Sequence, residues 1–250
     1  MDVQYMTSSQ LKTRAKDLLE GRFGSAVLII FLGGIITATL NMISNSFVSL
    51  FLMGLDLSSV AVGILSLSAS AVVSLFTNIF SAGYALFFLN IACKRSCDVG
   101  CLFYGFRGQQ FGKCMSLSAF FTVVSFVLFL PCQICNGMFG QTKETGWLMA
   151  ALLLGSIALA ASTIFSLVFS QCYFLLLDFP DYTAKQLLQS SARIMRGHKG
   201  RLFYLQVSFI PLILLAVLTC GIGILWLSPY IQMTYACFFL DIMNPLSQKG

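Results

Sequence analysis

Five stretches of this chain contain no Asp, Glu, Lys, Arg or His: residues 23–55, 57–92, 114–142, 145–177 and 202–240. A helix needs about 20 apolar residues to cross the hydrocarbon core of a bilayer, and every stretch exceeds that length. Only 10% of the residues are charged and 58% are hydrophobic, whereas soluble domains carry about 25% charge. A soluble globule is thereby excluded. Disorder is excluded too, because 24 Phe and 8 Tyr supply the aromatic side chains that disordered chains lack. The sequence predicts an all-α, polytopic membrane helical bundle.

The first four stretches each hold one crossing, over about 26–45, 69–89, 117–134 and 148–178. The fifth is long enough for two short ones. Thr219-Cys220-Gly221-Ile222-Gly223 marks the break, because two glycines favour a turn, giving crossings at 202–218 and 225–240. Pro229 then falls in the first turn of the last helix, where proline is tolerated. The rival reading is five spans and a re-entrant final segment.

Charge placement supports six. With the N-terminus inside, Lys12, Arg14, Lys16, Arg22, Lys94, Arg95, Arg107, Lys113, Lys185, Arg193, Arg196, Lys199, Arg201 and Lys249 all lie on the inner side, 14 of the 15 Lys and Arg. Only Lys143 lies outside. The positive-inside rule therefore predicts both termini in the cytoplasm. A secretory leader is not expected, since residues 1–22 are charged throughout and have no apolar core.

The chain also reads as one integral membrane domain over 1–250 made of three repeated hairpins, roughly 8–92, 99–180 and 183–242. Gly24, Gly112 and Gly200 are spaced 88 residues apart, each near a basic residue at the entrance to an odd-numbered span. The even-numbered spans share an ending: Tyr84 to Asn90, Tyr173 to Asp178, and Tyr235 to Asp241 each run from Tyr through Leu to Asn or Asp. Asn90, Asp178 and Asp241 are read as structural groups at the span ends, capping helices or pairing with cations.

Amphipathic helices precede the first and third hairpins. Ser8 or Ser9 is expected to cap a helix through Glu20, with Leu11, Ala15, Leu18 and Leu19 on one face and Gly21 as its stop. Thr183-Ala184-Lys185-Gln186 has the form of a capping box opening a helix to Arg196, stopped by Gly197. Both helices are expected in the inner headgroup layer. Their cations give the candidate contacts with anionic lipid headgroups or a membrane-protein partner: Arg193, Arg196, Lys199, Arg201, Lys12 and Lys16. The middle hairpin has a weaker counterpart at 102–107.

The run Ala192-Arg193-Ile194-Met195-Arg196-Gly197-His198-Lys199-Gly200-Arg201-Leu202-Phe203 carries a resemblance. With Ser208-Phe209-Ile210, Gly221-Ile222-Gly223 and Trp226 to Tyr230 it is similar to the C-terminal signature of an uncharacterised bacterial family of multi-pass membrane proteins, a domain of unknown function. Leu11 to Leu19 with Gly21, and Leu102-Phe103-Tyr104-Gly105-Phe106, resemble the same family. The likeness covers most of the chain. It implies the bacterial cytoplasmic (inner) membrane and brings no catalytic residue with it. Where relatives commonly have Trp after Ser-Phe-Ile, this chain has Pro211, which is expected to kink the fifth span.

Enzyme chemistry finds few residues to work with. His198 is the single histidine, which leaves neither a His-based metal site nor a His-containing triad. No phosphate-binding glycine loop with its lysine is present. No metal, cofactor or nucleic acid is expected. Cys93, Cys97 and Cys101 recur every four residues, and Cys132 and Cys135 have CxxC spacing without a second pair, so the cysteines read mainly as small apolar residues. Asn41, Asn45, Asn78, Gln171, Gln206 and the Ser-rich second span are read as hydrogen-bonding glue between helices.

Two functions remain open. The first is a non-enzymatic membrane protein, envelope-organising or a subunit or scaffold of a complex with a basic cytoplasmic face. The alternative is a transporter or lipid-handling permease without ion-coupling residues in its spans. The absence of ionisable residues from the predicted spans favours the first, because pumps and proton relays place such groups inside the bilayer.

Overall fold

A computed structural model describes residues 5–53, 58–95, 98–219 and 221–244. In hydrocarbon every backbone N–H and C=O needs a partner within the protein, and a helix supplies them along its own length. The described residues accordingly contain helices and no strand: α1 (Ser8–Leu19), α2 (Phe23–Leu52), α3 (Ser59–Ala92), a 3-10 helix (Val99–Phe106), α4 (Gly108–Thr142), α5 (Thr145–Phe169), α6 (Cys172–Asp178), α7 (Ala184–Ile194), α8 (Lys199–Val207), α9 (Ile210–Leu218) and α10 (Ile222–Met243).

Six stretches are apolar and long enough to cross a membrane: Phe23–Leu52, Ser59–Ala92, Gln110–Thr142, Thr145–Asp178, Lys199–Leu218 and Ile222–Met243. The fourth combines α5 with α6, and the fifth combines α8 with α9. Large apolar side chains such as Leu152, Leu153, Leu214 and Leu215 are exposed. A soluble protein rarely leaves so much apolar surface open, whereas lipid covers it without cost.

Several local expectations are corrected. Helix α1 is capped by Thr7, not by Ser8 or Ser9: the Gln10 backbone N–H donates to Thr7 Oγ1 at 3.3 Å, and the Thr7 N–H donates to Gln10 Oε1 at 2.9 Å. This is the Thr-x-x-Gln box also found at Thr183 and Gln186. Gly21 and Gly197 follow α1 and α7 with φ of +75° and +86°, the left-handed region where glycine is favoured. Helix α7 itself ends at Ile194, ahead of the expected Arg196. Pro229 lies well inside α10, because that helix already starts at Ile222, after Gly221 at φ +82°. Pro211 breaks the fifth span into two helices where a kink was expected. Lacking an N–H, it cannot continue the bonding of α8, and it opens α9 within its first two positions.

The chain divides into two compact units, residues 1–34, 80–111 and 167–250 in the first and 35–79 and 112–166 in the second. The second unit is drawn only from the first two expected hairpins. Within it Gly137 meets the Val60 backbone so closely that an added Cβ would lie 2.5 Å from Val60 Cα. Ser59 Oγ donates across this contact to the Gly137 carbonyl at 2.6 Å. Ser66, Ser68, Ser70 and Ser74 do not glue helices together. Each hydroxyl donates to a carbonyl three or four residues back in its own helix, as serines in apolar helices do when no partner is nearer. Asn41 likewise donates to Thr37 O, at 2.8 Å. Cys132 and Cys135 are separate thiols, and Cys132 Sγ donates to the Ala151 carbonyl at 3.4 Å. Cys97, Cys220 and Lys249 lie outside the described residues.

In the first unit, Gly24, Gly112's counterpart at the head of α2, and Gly200 each sit at the second position of a helix, with open space where a Cβ would stand. Close packing therefore does not explain glycine there. Gly83 differs, since an added Cβ would run into the backbone of Leu102 in the 3-10 helix.

Candidate functional site

Helix α1 buries Leu11, Ala15 and Leu19 and leaves Lys16 and Asp17 exposed. Those three recur at four-residue intervals, so they form one stripe, and the stripe packs against α10. Polar contacts lock this docking at the end of α1 where the chain enters. Asp241, on α10 and 2% exposed, accepts from Arg201 Nη2 on α8 at 2.6 Å. The Met6 backbone N–H donates to Asp241 Oδ1 at 3.1 Å, and Arg201 Nη2 also donates to the Met6 carbonyl at 2.8 Å. The guanidinium lies 4.7 Å from the Tyr5 ring and 5.4 Å from the Phe238 ring. Tyr5 in turn packs edge-on to His198, with centroids 4.7 Å apart. Burial lowers the His198 pKa, and the Arg201 charge lowers it further against the opposing pull of Asp241.

Lys12 makes the second lock. Its Nζ donates to the Ser208 carbonyl at 2.9 Å and lies 4.2 Å over the Phe209 ring, and burial lowers its pKa. The Ser208 carbonyl is available because Ser208 caps the C-terminal end of α8, where the last carbonyls have no helical N–H to accept from.

The cations expected to meet headgroups thus fall into two groups. Arg193, Arg196, Lys199 and Lys16 are exposed. Arg201 and Lys12 are committed to Asp241, Met6 and Ser208. Among the span-end residues, Asp241 is buried in its ion pair, Asp178 is exposed at the end of α6, and Asn90 is half-buried near the end of α3. The backbone acceptors and donors in this lock, Met6 and Ser208, carry no side-chain signal that sequence reasoning could use. Among the described residues no three His, Cys, Asp or Glu side chains gather to hold a metal ion.

Beside α1 runs a groove of about 1130 Å³. Lys12, Lys16, Asp17 and Glu20 line its α1 side, and Leu212, Leu215, Ala216, Trp226 and Leu227 line the side formed by α9 and α10. Phe23 and Trp226 stack with centroids 5.6 Å apart. A charged margin over an apolar wall suits an amphiphile, whose head and tail need different surroundings.

The fold and this site define a polytopic all-α membrane protein with a short helix, α1, packed against its last span. The chain belongs to the family described as Protein of unknown function (DUF975), whose model matches residues 5–245. No curated protein and no solved structure matches it.

Proposed function

We propose that this chain is a non-enzymatic protein of the bacterial cytoplasmic membrane, with both termini inside, that engages anionic lipid headgroups through its basic inner layer. In that role it organises the envelope or serves as a subunit of a membrane complex. The observation that carries this reading is the exposure of Arg193 on α7, Arg196 in the turn after it and Lys199 at the start of α8. Among the described residues none of the three has an acidic partner. Leu187 and Met195, on the same segment, are buried, so the segment lies apolar side down with its cations outward.

Each cation near an anionic surface contributes about 1 kcal/mol, or roughly fivefold in binding. The full chain, extracted in native-lipid nanodiscs and analysed by mass spectrometry, should carry an excess of anionic lipid. Arg193→Gln/Arg196→Gln/Lys199→Gln should lose most of that excess at low salt. An unchanged lipid profile would overturn the headgroup role. A protein that copurifies in stoichiometric amount would mark the chain as a subunit.

The groove beside α1 supports a second reading, a lipid-handling permease. Proteoliposomes holding the chain would then move a labelled lipid between leaflets faster than empty ones, and Trp226→Ala would slow the movement. Equal rates would remove this reading.

A further inference from the structure

The three tyrosines that open the matched endings of the even-numbered spans converge in the first unit. Tyr84 of α3, Tyr173 of α6 and Tyr235 of α10 all line one cavity of about 200 Å³, together with Gln171, Gln206 and Gln232. They stand eight, five and eight residues before the ends of their spans at Ala92, Asp178 and Met243. At 1.5 Å per residue this places the cavity roughly 8–12 Å inside the apolar segments. An uncharged polar pocket at such depth is an unusual use of sequence, because each hydroxyl and amide must find a partner or lose hydrogen-bond energy.

The Gln171 carboxamide oxygen has found none. Gln171 is 1% exposed. Its Nε2 donates to Ser170 Oγ at 2.9 Å, yet its Oε1 is buried without a partner. Leaving such an acceptor empty costs about 1–3 kcal/mol, and its placement on the cavity wall calls for a donor arriving from inside. Gln206 and Tyr235 share the lining with Gln171. Tyr84 is held against α2 at Gly33, where an added Cβ would strike its hydroxyl.

We infer that this cavity is a binding site for a small neutral polyol, whose hydroxyls donate to Gln171 Oε1 and accept from the tyrosines. Every side chain lining the cavity is uncharged, so an ion would lie there without a countercharge and at a heavy desolvation cost. The volume is below the 300–1,000 Å³ of pockets for drug-sized ligands, which excludes a lipid. The site is separate from the groove beside α1 and from the exposed cations, so its test does not depend on the function proposed above.

Glycerol is the probe. Saturation-transfer NMR on the full chain in nanodiscs should show transfer to glycerol above that of empty nanodiscs. Gln171→Leu should reduce the transfer by about threefold or more, and so should Tyr84→Phe/Tyr173→Phe/Tyr235→Phe, which keeps the rings and removes only hydroxyls. Lys16→Gln, in the groove, should leave it unchanged. Melting curves of the variants separate loss of binding from loss of folding, and the Phe variants serve if Gln171→Leu unfolds. No transfer above empty nanodiscs, or equal transfer in folded wild type and variants, would mean that the cavity holds water only and would overturn the inference.

Discussion

Removing either partner of the Arg201–Asp241 pair should destabilise the protein, but by different amounts, and the difference follows from exposure. The Asp241 side chain is 1% exposed and that of Arg201 is 27% exposed. Arg201→Met leaves a buried carboxylate whose remaining partner is the Met6 N–H, at 3.1 Å from Oδ1. Breaking a buried pair this way costs about 3–5 kcal/mol. Asp241→Asn leaves a guanidinium that still reaches water, still donates to the Met6 carbonyl and still lies between the Tyr5 and Phe238 rings. Its loss is a charge-assisted hydrogen bond, about 1.5–3 kcal/mol. Arg201→Met/Asp241→Asn removes both charges together, so it should cost less than Arg201→Met alone, with a coupling of about 2 kcal/mol or more. Reversible unfolding in mixed micelles, followed by tryptophan fluorescence, measures all three. Equal costs for the two single variants, with a strictly additive double variant, would refute the reasoning. The pair would then be an ornament of the surface and not the lock on α1.

Two further outcomes follow from geometry and titration. Gly83→Ala should abolish folding or cost more than about 3 kcal/mol, because its Cβ meets the backbone of Leu102 and backbone cannot step aside; Gly200→Ala, in open space on α8, should be neutral or stabilise by up to about 1 kcal/mol. Expression level and thermal melting of both variants compare them directly. His198 has a folded-state pKa below the usual value of 6.5, so the unfolded chain binds more protons than the native one between the two values. Stability contributed by neutral His198 is present above about 6.5 and is lost as pH falls toward the folded value. Melting curves taken across that window should show a shallower fall with acid for His198→Gln than for wild type, and identical slopes would contradict the assignment.

The six apolar helices were legible because the bilayer acts on every residue of a span alike, so absence of charge over 20 or more positions is a signal that needs no knowledge of packing. Helix ends were legible where a side chain bonds within three residues. The box at Thr183 was found by its Thr-x-x-Gln spacing, and the same spacing at Thr7 and Gln10 would have moved the cap of α1 from Ser8 or Ser9 to Thr7. Pro229 was misplaced for the opposite reason. The start of α10 is set by the backbone of Gly221 at φ +82°, and two glycines in five residues do not say which one turns.

The sorting of cations lay beyond sequence for a physical reason. Counting charges by side of the membrane treats Arg193, Arg196, Lys199 and Arg201 as equivalent, since the rule depends on position along the chain and not on contacts. Yet Arg201 differs from its neighbours by one acid 40 residues away and one backbone carbonyl 195 residues away. No local spacing encodes either. The span endings came nearer, because Tyr84, Tyr173 and Tyr235 repeat visibly. What they have in common appears only in the fold, where all three line one cavity. A motif repeated for lipid anchoring would point its tyrosines outward at the interface. These line an inner cavity beside the unpartnered Oε1 of Gln171, so the cavity is where their chemistry should be sought.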